Sequence, residues 1–223
     1  MKQTIEIKVP KDWSAVTLKD YLELQKDLVS YKDEPEALVA CLFHHLCNFP
    51  VEHLQKLDVD TYTAISNELN IFINKNDYSL QKFITIDGIE YAFEPDLSKI
   101  AYGAYVDISK YQNIGIDENW ANIMSILYRP VISKSKTLYE IEPYKGNIDG
   151  DKFMDVSMDV HFGAVFFFNN LLKELLSSTL SYLGTQTTHH QIPPNIKLIL
   201  EKSGNLIHRL SNSQMETSLN LKK

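Results

Sequence analysis

Residues 83–93 read FITIDGIEYAF, and this stretch constrains the fold more than any other. Two runs with alternating side-chain character flank Asp87-Gly88. An Asp-Gly pair between such runs specifies a two-residue hairpin of the mirror-image type, because both turn residues need positive φ and glycine adopts it without a Cβ penalty. A β-hairpin is therefore expected at about 83–93. Glu90 and Glu94, four apart, are expected on one solvated face of it.

Most of the remaining chain has helical spacing. Thr17 and Asp20 form a capping-box pattern, with Asp in place of the usual Glu. They open a helix that carries Leu18, Tyr21, Leu22, Gln25 and Leu28 at helical intervals. Asp33, Glu34 and Pro35 restart a helix, since proline costs little in a first turn. Pro50 opens a short helix, VEHLQKL, and Asp58 or Asp60 caps another that runs through Tyr62, Ile65, Leu69, Phe72 and Ile73. Short connections between successive helices are the pattern of a bundle.

Ahead of them, TIEIKV (residues 4–9) alternates as a half-buried strand does. Beyond the hairpin, KIAYGAYVDISKY reads as one or two short helices. ENWANIMSILY (118–128) reads as a helix with Trp120, Ile123, Met124 and Leu127 inward. It stops at Arg129-Pro130, because the residue before proline avoids the α region. Residues 131–157 look extended and loop-like. A long helix is expected over about 157–182, with a wide apolar stripe that includes Phe162 and Val165. Phe166, Phe167 and Phe168 span about 200° of it, so it is either buried all round or offers one Phe to a partner; burial is the preferred reading.

The expected class is mainly α with a minor β part: a helical bundle with an N-terminal strand and a central hairpin. The domain is expected over 1–183, a linker (GTQTTHHQIPP) over 184–194, and a C-terminal helix with a frayed tail over 195–223.

CLFHHLCNFP (41–50) places two cysteines and two histidines within seven residues. On one helix these four side chains fan over about 160°, whereas a tetrahedral zinc needs its ligands to converge on one point. No metal site is expected, and Cys41 is read as a small apolar residue at the edge of the core. A disulfide between Cys41 and Cys47 would break the helix. NIDGDKFMDVSMD (147–159) departs from the EF-hand pattern, with Gly150 at loop position 4 and Met158 at position 12; it reads as an acidic lead into a helix.

No nucleophile elbow, P-loop or dinucleotide fingerprint occurs in the sequence. Catalytic and cofactor residues are therefore expected to be none. The net charge is −7 and arginine occurs only at 129 and 209, which disfavours nucleic-acid binding. The most apolar run, FGAVFFF, is seven residues long, against the roughly 20 of a membrane span. With no apolar leader and two cysteines, a reducing cytoplasm is expected.

Trp120, Tyr128, Arg129, Phe166 and Phe167 are the residues singled out as structural or partner-binding. For Arg129 the structural reading is a partly buried pair with Glu140 or Glu142; the other is an anchor on a partner surface, where Arg, Tyr and Trp are enriched.

Over about residues 80–183, FITIDGIEYAFEPDLSKIAYGAYVDI, NWANIMSILYRPV, YEIEPY and VHFGAVFFFNNLLKELL together resemble a family of tailed-bacteriophage (crAss-like) proteins. The first third, TLKDYLELQKDL followed by ALVACLFHHLCNFPVEHLQKLDVDTYTAISNELNIFI, is similar in layout to phage tail assembly chaperones. That resemblance implies a non-enzymatic protein of the host cytoplasm that binds tape-measure, tail tube or neck proteins during assembly. The chain departs from those chaperones in its length, its hairpin and its Phe-rich helix. The alternative is a ring or connector of the tail or neck, resident in the virion and self-associating through large symmetric interfaces. An enzyme with an unfamiliar site is the third option and would need a polar cleft.

Overall fold

The computed structural model describes residues 7–75 and 78–167. Three helices come first: α1 (Leu18–Ser30), α2 (Pro35–Cys47) and α3 (Val59–Ile73). Their starts follow from local chemistry. The Thr17 N–H donates to Asp20 Oδ2 (3.4 Å) and the Asp20 N–H to Thr17 Oγ1 (3.2 Å), so the capping box closes with the shorter acid. Pro35 occupies the first turn of α2. Asp58, not Asp60, caps α3, accepting from the Thr61 N–H at 2.8 Å. Asn48 ends α2 in the left-handed conformation, φ 52°, which asparagine tolerates better than most residues. VEHLQK then forms a 3-10 helix over Val51–Lys56.

The hairpin forms as expected. β1 (Phe83–Ile86) pairs antiparallel with β2 (Ile89–Phe93), with Asp87 at φ 51° and Gly88 at φ 77° in the turn. After α4 (Tyr102–Ile114) and α5 (Ile116–Leu127), the chain passes without a loop into β3 (Tyr128–Lys134). Pro130 forces this change by pushing Arg129 to extended backbone. β4 (Tyr139–Ile141) completes an antiparallel sheet in the order β1-β2-β3-β4.

The structure corrects two expectations. Part of 131–157 is strand and not loop. The signal was weak because β3 contains a proline, its alternation is interrupted by an irregular register between Val131 and Ser133, and β4 is three residues long. Of the N-terminal strand expected over 4–9, residues 7–9 are not strand, although Ile7 and Val9 pack against the core on the side expected; residues 4–6 lie outside the described residues. The fold is mixed, with helix predominating over one sheet. The last described segment, 158–167, is helical, as expected there; the rest of that helix, the 184–194 linker and the C-terminal helix fall outside the described residues.

Trp13 joins these parts. It packs against Phe72 of α3 (4.5 Å between ring centroids), Phe162 of the 158–167 helix (5.2 Å) and Tyr21 of α1 (5.9 Å). The Tyr21 and Phe162 contacts are edge-to-face and the Phe72 contact is tilted; aromatic pairs of this kind contribute about 0.5–1.5 kcal/mol each beyond area burial.

Candidate functional site

Of the five residues singled out, two lie in the core. Trp120 is buried on α5 and meets Tyr21, His161 and Phe162 edge-on at 6.0–6.1 Å. Tyr128 is buried at the start of β3, where its O–H donates to the Gln81 carbonyl at 2.7 Å. Burial pushes its phenol pKa far up, because the interior disfavours phenolate.

Arg129 is paired, as its structural reading requires, but with a different carboxylate. Its guanidinium donates to Glu94, not to Glu140 or Glu142. Glu140 accepts from Ser133 Oγ at 3.1 Å. Glu94 is consequently largely covered, against the expectation of a solvated Glu90–Glu94 face. Glu90 bonds to Lys134 Nζ at 2.6 Å, and that ammonium also lies 3.7 Å from the Phe83 ring centroid.

Phe166 is half-buried and stacks on Tyr78 with centroids 5.1 Å apart. Phe167 is 37% exposed and sits edge-on to Phe93 at 5.5 Å. Among the five, only Phe167 is an exposed residue.

In the Cys/His stretch of α2 the cysteines pack in the core and the histidines do not. Cys41 and Cys47 are both buried as thiols. Burial raises both pKa values, Cys47 to about 11, with Asp27 adding to the effect at Cys41 and Glu68 at Cys47. His45 Nε2 lies 2.8 Å from Asp27 Oδ2, and His44 faces solvent. Among the described residues no three His, Cys, Asp or Glu side chains converge as metal ligands would. In the acidic loop, Asp159 accepts from Gln81 Nε2 at 2.6 Å and from Ser157 Oγ at 2.5 Å, which ties it to the fold.

Sequence reasoning missed His161. It is fully buried beside Trp120, with Nε2 3.1 Å from the Phe153 carbonyl. A carbonyl only accepts, so Nε2 carries the proton. Burial lowers its pKa to about 4, opposed by the Phe153 and Val156 carbonyls and by Asp159. The available signal was a lone histidine inside the apolar run VHFGAVFFF.

Two surface features remain. On α4, Ala104 is buried while Tyr102, Tyr105 and Val106 are 81%, 51% and 42% exposed. Their i, i+3, i+4 spacing places them on one outward face. Beside β1 lies an open cavity of about 620 Å³, with Ile84, Ile86, Val156 and Val160 in its walls and Asp87, Glu90, Lys152 and Asp155 around it.

Comparison of the chain with protein-family models, curated proteins and solved structures found no match. Among the described residues, no helix is long and apolar enough to cross a membrane.

Proposed function

We propose that this chain is a non-enzymatic bacteriophage protein that binds other phage proteins during tail assembly in the host cytoplasm. The observation that carries this reading is the outward face of α4. Tyr102, Tyr105 and Val106 expose aromatic and aliphatic surface on a helix whose opposite side is already packed. Tyrosine is a residue type enriched at the centre of protein interfaces. The resemblance of this region, which includes KIAYGAYVDI, to tailed-bacteriophage proteins supports a phage protein, and the chaperone-like layout of the first third directs the reading to tail components. The chain's net charge of −7 fits a protein partner better than a nucleic acid.

The test is co-expression of the full chain with tape-measure, tail tube and neck proteins, followed by capture. Tyr102→Glu with Tyr105→Glu should lower recovery of the captured protein about tenfold, by placing charge in an apolar contact. Native mass should be that of a monomer or dimer of the 25.7 kDa chain. Failure to capture any tail protein overturns the reading. A ring-sized oligomer found in purified virions replaces it with the connector.

A further inference from the structure

The two edges of the sheet are built differently. β4 is short, follows an irregularity in β3, and leads into Pro143. These are the devices by which sheets discourage pairing at an edge. β1 has none of them: Phe83, Ile84, Thr85 and Ile86 carry no charge and include no proline.

The hairpin register shows which groups this edge presents. In a two-residue hairpin the residues flanking the turn, Ile86 and Ile89, form a hydrogen-bonded pair, and every second residue faces the partner strand. Lys82 keeps this phase, its carbonyl accepting from the Phe93 N–H at 2.9 Å. Phe83 and Thr85 therefore turn N–H and C=O away from β2. Among the described residues neither makes a backbone hydrogen bond on that side.

The cavity of about 620 Å³ runs along this edge, between β1 and residues 152–160. Ile84, Ile86 and Val160 form its floor but are turned into the core, Val156 is half-buried, and most of the surface it presents is polar. Its charged groups are three carboxylates, Asp87, Glu90 and Asp155, against the single ammonium of Lys152. Glu90 is matched by Lys134, and Lys152 by Asp149 at 3.0 Å. Lys152 also lies within electrostatic reach of Asp87, so the groove is acidic through its excess of carboxylates, with Asp155 the one no cation is paired with among the described residues.

We propose that the β1 edge and this groove bind an extended, basic segment of a partner protein as a fifth strand. Thr85 and Phe83 supply the ladder hydrogen bonds. Alternate side chains of the guest lie over Thr85 and Val156, and its lysines or arginines meet Asp87 and Asp155. This is strand addition, in which the backbone supplies affinity and alternate side chains supply selectivity. A second copy pairing through the same edge would juxtapose two acidic rims, which like-charge repulsion disfavours.

The test titrates the full chain with a fluorescein-labelled octapeptide of alternating valine and lysine, followed by anisotropy and by backbone amide spectra. Its counterparts alternate valine with glutamate or carry N-methyl groups on alternate residues, which removes one edge's donors. The basic peptide should bind at least about tenfold more tightly than either, and the amides of Phe83 and Thr85 should shift. Thr85→Pro removes an outward N–H without touching the β2 ladder and should abolish binding. Asp87→Asn with Asp155→Asn keeps a turn residue that tolerates positive φ and should weaken binding about tenfold at low salt. Equal affinity for the N-methylated peptide would show electrostatic adsorption and overturn the proposal, as would no binding at all. Dimerisation that Thr85→Pro removes would assign the edge to a second copy and also overturn it. Because the probe reads the groove and not tail-protein capture, its failure is distinguishable from failure of the phage reading.

Discussion

Arg129 and Glu94 form an ion pair across the β2–β3 junction, with only 12% and 10% of their side chains exposed. The pair sits where α5 passes directly into β3, held also by the Glu94 N–H donating to the Leu127 carbonyl at 2.8 Å. Such a pair contributes little against a well-packed apolar replacement, but removing one partner strands the other charge. Glu94→Ala should therefore cost about 3–5 kcal/mol in urea unfolding, and Glu94→Leu with Arg129→Met should recover most of it. Additive losses in the double variant would show that the charges are not coupled.

Two glycines should respond to alanine with opposite signs. At Gly163 an added Cβ would lie 2.4 Å from the Ser79 carbonyl oxygen, a backbone atom that cannot step aside. At Gly103, in α4, the nearest atoms belong to the Tyr144 ring at 3.5 Å, an ordinary contact. Alanine in a helix is favoured over glycine by up to about 1 kcal/mol. Gly103→Ala should raise the unfolding midpoint. Gly163→Ala should lower stability by about 2 kcal/mol, as overpacking does. A stabilising Gly163→Ala would mean that residues 79–80 do not pack against the 158–167 helix in solution.

His161 should make stability depend on pH. Unfolded, it takes up a proton near 6.5; folded, only near about 4, because burial disfavours the charged ring. Between these values the unfolded chain holds more protons, so stability falls as pH falls. The contribution of neutral His161 is full above 6.5 and is lost on descent toward about 4. It is worth on the order of 3 kcal/mol. Urea unfolding from pH 7 to 5 should show about 2 kcal/mol of this loss in the parent chain and a shallower one in His161→Gln. Parallel curves would count against it.

The two thiols should react only on opening. Burial keeps Cys41 and Cys47 protonated and covered at pH 8. Labelling by a disulfide reagent should be at least about a hundredfold slower in the native chain than in urea, because the thiolate is the reacting form. One fast-labelling thiol in native protein would place that cysteine at the surface.

Features decided within about four residues of themselves are legible in the amino-acid sequence. Asp87-Gly88 demanded positive φ and produced a hairpin. Thr17 with Asp20, Pro35 and Asp58 set helix starts through groups that reach only the next turn. One helix could not gather Cys41, His44, His45 and Cys47 around a metal, whatever else the chain did. The tertiary structure decided what depends on distant partners. Arg129 took Glu94, 35 residues away, because the β2–β3 register brings them together, and not the nearer Glu140 or Glu142. Trp120 and Tyr128 proved to be core residues, while Tyr102 and Tyr105 faced out, because helix docking selects which aromatic face is covered. Strand order likewise left β1 at the edge of the sheet, with its outward backbone groups unpaired among the described residues. Capping and turn preferences act through neighbouring backbone atoms, whereas burial, pairing and exposed edges are properties of surfaces that exist only once distant segments meet.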